Sequence, residues 1–332
     1  MSISNPGKVE LSPETHDHTN RISIDRLWSY GIWIVLIVLV LVISLFNSTF
    51  RSTSNLTNVL EQNSMLGIVA AGMLVMMVSG GFDLSVGAIG ASASVAGAEL
   101  SLHFGLAVAI PGMIIVGLAV GLANGLLIAK VRINAFVTTF AMASIVTGIL
   151  FTATSASPIN ANAGWLGTLA LGTIGGIPWA FIGYAIVMLI TWILLARTKL
   201  GHYIYSVGGN REASFLSGIP VVSSQILAFV YGGLCASLGG LILIGQANIG
   251  QPSSATDWPL SAIAICVIGG VSLSGGVGRV QGVVAATFLL GVISNALSLF
   301  NVSPYIQPTI TGAVIVLAVM LDKVSQSRSS SR

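Results

Sequence analysis

One carboxylate stands inside a long apolar stretch of the sequence, in the segment VSGGFDLSVGAIG. Asp83 follows Gly80–Gly81, and Ser85 and Gly87 come shortly after it. Three kinds of chemistry suit a carboxylate at such a position. It caps the first turn of the next helix, whose N–H groups are unpaired and partly positive. Alternatively it contacts a polar solute at a gate, or it binds a proton or an ion.

A second segment repeats the glycine pattern around Asp83. GGVSLSGG shares with GGFDLSVG a glycine pair, a Leu-Ser pair and a later glycine. Helices broken by glycine are where many transporters build their substrate pathway. We therefore predict a gating role for both breaks, and in the second break the candidate residues are Gly269, Gly270, Ser274 and Gly276.

Other reactive residue types do not form a catalytic or metal-binding pattern. Cys235 and Cys266 lie in separate apolar runs, which is typical of buried structural thiols. The four histidines are scattered without metal-ligand spacing. The phosphate-binding pattern G-x-x-x-x-G-K-[ST] does not occur, so we expect no ATP site in this chain. The sequence predicts no catalytic residue, no metal and no cofactor of its own.

Five polar or aromatic side chains in the apolar runs are candidates for contact with a small solute. An amide inside a membrane forms hydrogen bonds either between helices, for about 1 kcal/mol, or with a solute. A tryptophan either stacks on a ring or anchors the chain at the membrane surface. These alternatives stay open for Asn124, Gln246, Asn248, Trp258 and Asn295.

The composition shows which environment must position these residues. Of the 332 residues, 54% are hydrophobic and only 7% are charged, and the mean hydropathy is +0.94. Soluble domains carry about 25% charged residues, so this chain lacks the side chains for an ordinary water-facing surface. We predict an all-α, polytopic protein of the lipid bilayer, without a soluble enzyme domain and without a nucleic-acid partner.

A membrane-spanning helix needs about 20 apolar residues, and the sequence offers about ten such runs. One or two of them are broken by the glycine-rich segments. Residues 1–27 lack the features of a signal peptide and are predicted to be a cytoplasmic tail, 28–322 the transmembrane domain, and 323–332 a second cytoplasmic tail. The predicted spans are 28–47, 58–79, 84–103, 106–129, 133–153, 177–196, 223–246, 258–274, 281–300 and 305–321.

The basic residues support this count and orient the chain. With the N-terminus in the cytoplasm, twelve of the thirteen lysines and arginines fall on the cytoplasmic side and only Arg51 falls outside. Positive charge is retained on the cytoplasmic side of membrane proteins. Removing one span would invert every later loop and destroy the asymmetry. We therefore expect a multi-pass membrane protein with both termini in the cytoplasm.

The longest predicted cytoplasmic loop, residues 197–222, contains signals for a short helix. A glycine pair interrupts the preceding segment, an asparagine is suited to cap the next helix, and Gly218 stops it. So short a helix is marginal in water and needs a partner surface. It is either an ordinary interfacial turn or a docking element for a cytoplasmic protein, with Gly208, Gly209, Asn210, Arg211, Glu212, Ala213, Leu216 and Gly218 as its candidate residues.

This loop resembles a known family. GHYIYSVGGNREASFLSGIPV is similar to the coupling loop of ABC-type sugar importer permeases, in the ribose, xylose and arabinose group. SGGFDLSVGAIGA resembles the glycine-aspartate signature of that family, and GLANGLLIAKVRINAFVTTFAMASIVTGI resembles its fourth and fifth spans. The last three spans of that family are similar to LSAIAICVIGGVSLSGGVGRVQG and NVSPYIQPTITGAVIVLAVMLD. The resemblance therefore covers residues 55–322.

The resemblance implies a channel-forming subunit that works with a second copy of itself or a paralogous permease. It also implies a cytoplasmic ATPase, which binds ATP and Mg²⁺, and a periplasmic binding protein that delivers a small sugar. The related alternatives are permeases for an autoinducer or for branched-chain amino acids. An ion-coupled carrier is a further alternative, but such carriers need several buried ionisable groups.

Overall fold

The computed structural model describes residues 18–303 and the separate positions 305, 306, 309, 310, 312, 313 and 316, with only the backbone described for 18–30. Nearly all of the described chain is helical. The helices are α1 (His18–Phe46), α2 (Thr53–Val78), α3 (Val86–Phe104), α4 (Leu106–Ala129), α5 (Ala135–Thr154), α6 (Gly164–Leu171), α7 (Trp179–Arg197), α8 (Lys199–Gly209), α9 (Arg211–Leu216), α10 (Val221–Ala247), α11 (Trp258–Ile268) and α12 (Val280–Leu299).

Short elements connect the helices at the two ends of the bundle. A 3₁₀ turn (Thr49–Arg51) follows α1. Strand β1 (Ile159–Asn160) pairs antiparallel with β4 (Ile249–Gly250), and β2 (Thr173–Ile174) pairs with β3 (Ile177–Pro178). We call the end that holds these strands the strand end. The opposite end, where α2 stops and α10 starts, is called the α9 end.

Helix α2 is the centre of the bundle. Every residue from Gly67 to Val78 is buried, on all faces of the helix. Helices α7, α10, α11 and α12 pack around it. A helix that is apolar all round is stable only when other protein surrounds it, so α2 is an internal helix rather than a lipid-facing one.

Helices α4 and α10 pack through a glycine face. Gly117, Gly121 and Gly125 recur at every fourth position of the sequence, and this spacing predicts close approach to another helix. A Cβ atom added at Gly121 would lie 2.6 Å from the Phe229 carbonyl oxygen, and one at Gly125 would lie 2.9 Å from the Ile226 Cα. Gly117 touches the backbone of Gly233 in the same way. The predicted close approach along the glycines at every fourth position is therefore confirmed.

Six described helices are long and apolar enough to cross a bilayer: α2, α4, α5, α7, α10 and α12. The apolar part of α1 (Gly31–Phe46) and α11 are shorter. Helix α3 has the length of a span but carries serines, glycines and Glu99. An all-α, multi-pass membrane protein is thus observed, whereas the count of ten spans is not established. Ten of the seventeen residues of the predicted span 305–321 lie outside the described residues.

The predicted span 258–274 is wrong in length. Helix α11 ends at Ile268, because Gly269 forms its C-cap and Gly270 has a φ of +80°. The seven residues between β4 and α11 form turns rather than a helix. Close packing against α12 takes the place of the missing helical turns. A Cβ atom at Gly269 would lie 2.7 Å from the Gly282 backbone, at the start of α12.

Candidate functional site

Glycines from three distant parts of the sequence meet at the α9 end. The N–H of Gly276 donates a 2.9 Å hydrogen bond to the carbonyl of Val78, the last residue of α2. A Cβ atom at Gly275 would lie 2.8 Å from the Gly80 Cα and 2.8 Å from the Gly208 oxygen. One at Gly276 would lie 2.6 Å from the Gly209 Cα. We call these five glycines, Gly80, Gly208, Gly209, Gly275 and Gly276, the glycine junction.

Only glycine satisfies the backbone geometry of this junction. Gly80, Gly275 and Gly276 have φ values of +92°, +91° and +71°, which residues with a Cβ adopt at an energetic cost. The two predicted helix breaks and the predicted docking loop therefore touch through main-chain atoms.

A tyrosine makes a second contact between the loop and the break after α11. The Tyr205 hydroxyl on α8 donates a 2.7 Å hydrogen bond to the Gly278 carbonyl. Burial raises the pKa of this hydroxyl, which keeps it protonated as the donor. Ser274 is exposed nearby, and its hydroxyl lies 2.8 Å from that of Ser272.

Arg211 ties the short helix α9 to the bundle. Its Nη1 donates to Gln225 Oε1 at 2.7 Å, and its Nη2 donates to the Ala129 carbonyl at 2.9 Å. Gln225 Nε2 in turn donates to the Ser79 carbonyl at 3.3 Å. Burial, followed by the neighbouring charge of Arg132, lowers the pKa of Arg211. This chain of hydrogen bonds runs from α9 through α10 to the residue that follows α2.

Helix α9 presents apolar side chains to the outside. Asn210 caps it as the sequence predicts, since its Oδ1 accepts the Ala213 N–H at 2.9 Å. Gly218 ends the helix region with a φ of +77°. Phe215 and Leu216 are 70% and 79% exposed, and Glu212 and Ala213 are exposed beside them. A two-turn helix with exposed large apolar residues is the surface that a docking protein would cover.

Asp83 lies fully buried between α2 and α3. Its Oδ1 accepts the Ser85 N–H and the Ser85 hydroxyl, both at 2.6 Å, and its Oδ2 accepts Asn124 Nδ2 at 3.0 Å. Asn124 Nδ2 also donates to Ser85 Oγ at 2.9 Å, while Asn124 Oδ1 is buried without a partner in the described chain. Ser85 is the residue before α3, so these bonds fix the entry to the helix, and capping of the N–H groups inside α3 by Asp83 stays a prediction. A gating role for Asp83 stays a prediction.

The neighbouring glycines of the two breaks allow close packing. A Cβ atom at Gly81 would lie 3.1 Å from the Phe229 ring, and Gly87 abuts the Ala255 carbonyl. These contacts hold the start of α3 against α10 and against the turns that precede α11.

The five residues predicted to contact a solute are not brought together. Asn124 belongs to the Asp83 cluster, and Asn295 exchanges two hydrogen bonds, of 2.8 and 3.0 Å, with Asn55. Gln246 Nε2 donates to Glu61 Oε1 at 3.3 Å. Three of the five thus bond to another helix in this structure, which is the structural alternative for an intramembrane amide.

The remaining two candidates have local structural partners. Asn248 adopts a φ of +52° after α10, and its Oδ1 accepts the Ala163 N–H at 3.0 Å. Trp258 is 4% exposed, and its ring packs against Gly90 and Gly239. Its burial inside the bundle differs from both expectations, because the ring neither faces open space nor lies at a membrane surface.

Sequence reasoning missed Gln225 and Ser79. Each is a polar residue near the end of an apolar helix, and nothing in the linear sequence pairs Gln225 with Arg211. Among the described residues, no group of three His, Cys, Asp or Glu side chains is placed to hold a metal ion. A groove between α6, α7 and α10 has an apolar lining that includes Trp165, Leu169 and Ile186, which does not suit a polar solute.

Comparison with known proteins agrees with this geometry. The family described as "Branched-chain amino acid transport system / permease component" matches residues 55–319. The ribose import permease protein RbsC of Escherichia coli K12 is 37% identical over 298 residues, covering 88% of this chain and 93% of its own. The L-arabinose transport system permease protein AraH of the same strain is 35% identical over 306 residues, covering 92% and 93%.

A third relative is named in the same terms. The L-arabinose ABC transporter permease protein AraH of Azospirillum brasilense is 33% identical over 299 residues, covering 90% of this chain and 88% of its own. No solved structure matches the chain significantly. A family match over most of the chain, together with relatives above 30% identity over nearly the whole length, leaves one conclusion. The chain belongs to the family of transport-system permease components that carries the branched-chain amino acid description.

Proposed function

We propose that this chain is the membrane permease subunit of an ABC importer for a small sugar, such as a pentose or a similar monosaccharide. It works with a cytoplasmic ATPase, a periplasmic sugar-binding protein, and a second copy of itself or a paralogous permease. About ten spans place both termini and α9 on the cytoplasmic side of the inner membrane. The ATPase subunit binds ATP and Mg²⁺, and this chain performs no covalent chemistry.

The observation that carries the proposal is the connection between α9 and the two helix breaks. The exposed side chains of Phe215 and Leu216 give an ATPase a surface to hold. Arg211 and Gln225 link the same helix to Ser79. ATP-driven movement of α9 therefore pulls on the end of α2 and, through the glycine junction, on the segment between α11 and α12. Both breaks change together, as alternating access requires.

A neutral solute suits the placement of charge. In the described part of the chain, Arg21 and Arg26 precede the apolar part of α1, Gly31–Phe46. The other basic residues of that part lie in loops or at helix ends: Arg51, Lys130, Arg132, Arg197, Lys199, Arg211 and Arg279. A zwitterionic amino acid needs a partner for its carboxylate inside the membrane, and none of these residues is placed at mid-span. A sugar needs only hydroxyl, amide or carboxylate partners. The names of the similar permeases, ribose and L-arabinose, favour the same solute class.

The family description supplies the second candidate, a permease for branched-chain amino acids. It differs from the first in substrate and not in mechanism. An autoinducer importer would likewise share the same coupling loop. An ion-coupled carrier is the least suited alternative, because Asp83 already has three hydrogen bonds from Ser85 and Asn124 and is closed to solvent.

Reconstitution tests the proposal. The permease is placed in liposomes with its ATPase and binding protein, and uptake of labelled ribose, arabinose, xylose and leucine is measured with and without ATP. We expect ATP-dependent uptake of one of the sugars and none of leucine. The permease alone serves as the control and accumulates nothing. Accumulation of solute by the permease alone, or uptake of leucine only, would contradict the proposal.

A further inference from the structure

Residues 251–257, QPSSATD, run through the bundle without helical structure, and we call them the polar segment. At its start, a Cβ atom on Gly250 would lie 2.7 Å from the Val95 Cα. Towards its end, the Ala255 carbonyl abuts Gly87. Val95 and Gly87 are eight residues apart on α3, which corresponds to about 12 Å along the helix. The polar segment therefore follows α3 for about half of the length of that helix.

The residue that follows the polar segment lies deep in the bundle. A Cβ atom at Gly239 would lie 2.9 Å from the Trp258 ring and 3.0 Å from the Val69 side chain. Gly239 is about 12 Å from the strand-end terminus of α10, and Val69 is about 14 Å from the α9-end terminus of α2, at 1.5 Å per residue. The hydrocarbon core of a bilayer is about 30 Å thick. Trp258 therefore lies near the middle of the membrane, and the polar segment runs from the strand end down to that depth.

The polar segment turns its polar side chains to open space. Ser253, Thr256 and Asp257 are exposed, while Pro252 and Ala255 are buried. Lipid tails offer no hydrogen-bond partner to irregular backbone, and a carboxylate facing them at this depth is strongly disfavoured. Such a segment is tolerated in a membrane protein only where it faces protein or a water-filled cavity. The open space beside Asp257 is therefore a water-filled cavity or the surface of a second protein copy, and not lipid.

We propose that the polar segment lines the route of the solute at mid-membrane and binds sugar hydroxyl groups. The Asp257 carboxylate accepts hydrogen bonds from two neighbouring hydroxyls, and the Ser253 and Thr256 side chains donate or accept further ones. Leu260, which is 68% exposed one turn into α11, offers an apolar surface to the C–H face of the sugar ring. That the ligand is a sugar rests on the proposed function. That the polar segment is accessible to water does not depend on it.

Cysteine labelling tests the position of the segment. Ser253→Cys and Thr256→Cys are introduced separately into the complete transporter in proteoliposomes and treated with a charged, membrane-impermeant thiosulfonate. The native Cys235 and Cys266 are buried and give a low background. Ile190→Cys, at a 49% exposed position in the middle of α7, is the control at membrane depth. We expect labelling at both segment positions at least about tenfold faster than at residue 190, because thiols react as solvated thiolates.

Labelling also tests the ligand. Saturating D-ribose with its binding protein and ATP should slow the reaction at residues 253 and 256 and leave residue 190 unchanged. Labelling of the segment positions no faster than residue 190 would overturn the proposal. That result leaves the proposed function standing if the wild-type transporter still carries a sugar. Conversely, fast labelling in a transporter that carries none of the sugars tested would overturn the proposed function and the ligand, but not the polar route.

Substitution of Asp257 tests its role in transport. For Asp257→Asn and Asp257→Ala, D-ribose uptake per ATP hydrolysed should fall about tenfold, the factor expected for one charge-assisted hydrogen bond. Asp257→Glu should recover most of the uptake. ATP hydrolysis and association with the ATPase should stay within about twofold. Wild-type uptake in Asp257→Ala, or separation of the two permease copies by this substitution, would overturn the assignment of Asp257 to the sugar.

Discussion

The Arg211 guanidinium donates a 2.7 Å hydrogen bond to the Gln225 side chain and thereby joins α9 to the first turns of α10. Gln225 is 6% exposed and passes the connection to the Ser79 carbonyl. A helix of only six residues is thus fastened to the bundle by one charged side chain. Substitutions in this connection separate its mechanical role from the stability of the fold.

Replacing Gln225 by leucine should uncouple ATP hydrolysis from transport. The substitution leaves the half-buried Arg211 with a single acceptor, and loss of a hydrogen bond to a charged group costs about 1.5–3 kcal/mol. We expect uptake to fall at least tenfold while the ATPase subunit stays bound and active. Uptake and ATP hydrolysis are measured on the same proteoliposomes. The control is Glu212→Gln on the exposed side of α9, and an equal loss in both variants would remove the special role of Gln225.

Leu216→Asp should prevent the ATPase subunit from binding without unfolding the permease. The side chain is 79% exposed, and exposed substitutions change the stability of a fold by less than about 0.5 kcal/mol. Binding is measured by co-purification and stability by the midpoint of thermal unfolding in detergent. Ser48→Asp, exposed after α1 at the opposite end of the bundle, is the matched control. If the ATPase still co-purifies with Leu216→Asp, α9 is not the docking element.

Gly275→Ala should damage both folding and transport. Its Cβ atom would lie 2.8 Å from the Gly80 Cα, and the φ of +91° adds backbone strain of about 1–3 kcal/mol. We expect a lower unfolding midpoint and a slower transport cycle. Gly148→Ala in α5 meets nothing within 4 Å and serves as the control. Unchanged stability and transport in Gly275→Ala would show that the junction does not need its close backbone approach.

Asp83 and Asn124 should behave as one unit in a double-mutant cycle. Asp83→Ala removes three hydrogen bonds at the start of α3, and Asn124→Ala removes the donor that binds Asp83 Oδ2. The two changes in unfolding free energy should differ from additivity by about 0.5–3 kcal/mol, as contacting residues in one network do. Denaturant titration of the four proteins measures this. Additive effects would mean that the 3.0 Å contact contributes little to stability.

Regular features of this protein follow from the sequence because they depend on local patterns. The glycines at every fourth position in α4 predict a close helix contact, and α10 occupies it. Asn210 followed by a short apolar run predicts a capped helix, and α9 begins one residue later. The apolar composition of the predicted spans identifies a membrane protein, regardless of how the helices pack.

The features that sequence reasoning missed depend on contacts between distant segments. Arg211 meets Gln225 only because α9 folds back on α10, and the glycine junction joins residues near positions 80, 208 and 275. The eighth span was predicted as a full helix because apolar composition does not reveal that packing against α3 and α12 replaces helical turns. The burial of Trp258 inside the bundle was not predicted, because Gly90 and Gly239, which make room for its ring, lie far away in the sequence.

The glycine junction is built from main-chain atoms, and this has an evolutionary consequence. Contacts between backbones do not depend on which side chains occupy the rest of the molecule, so mutations that reshape the interior for a new cargo leave these contacts in place. Descendants of one ancestral permease can thus diversify in the compounds they carry while they keep the same main-chain contacts at this end of the bundle. The strictest selection should therefore act on the glycines, and the loosest on the residues that meet the cargo.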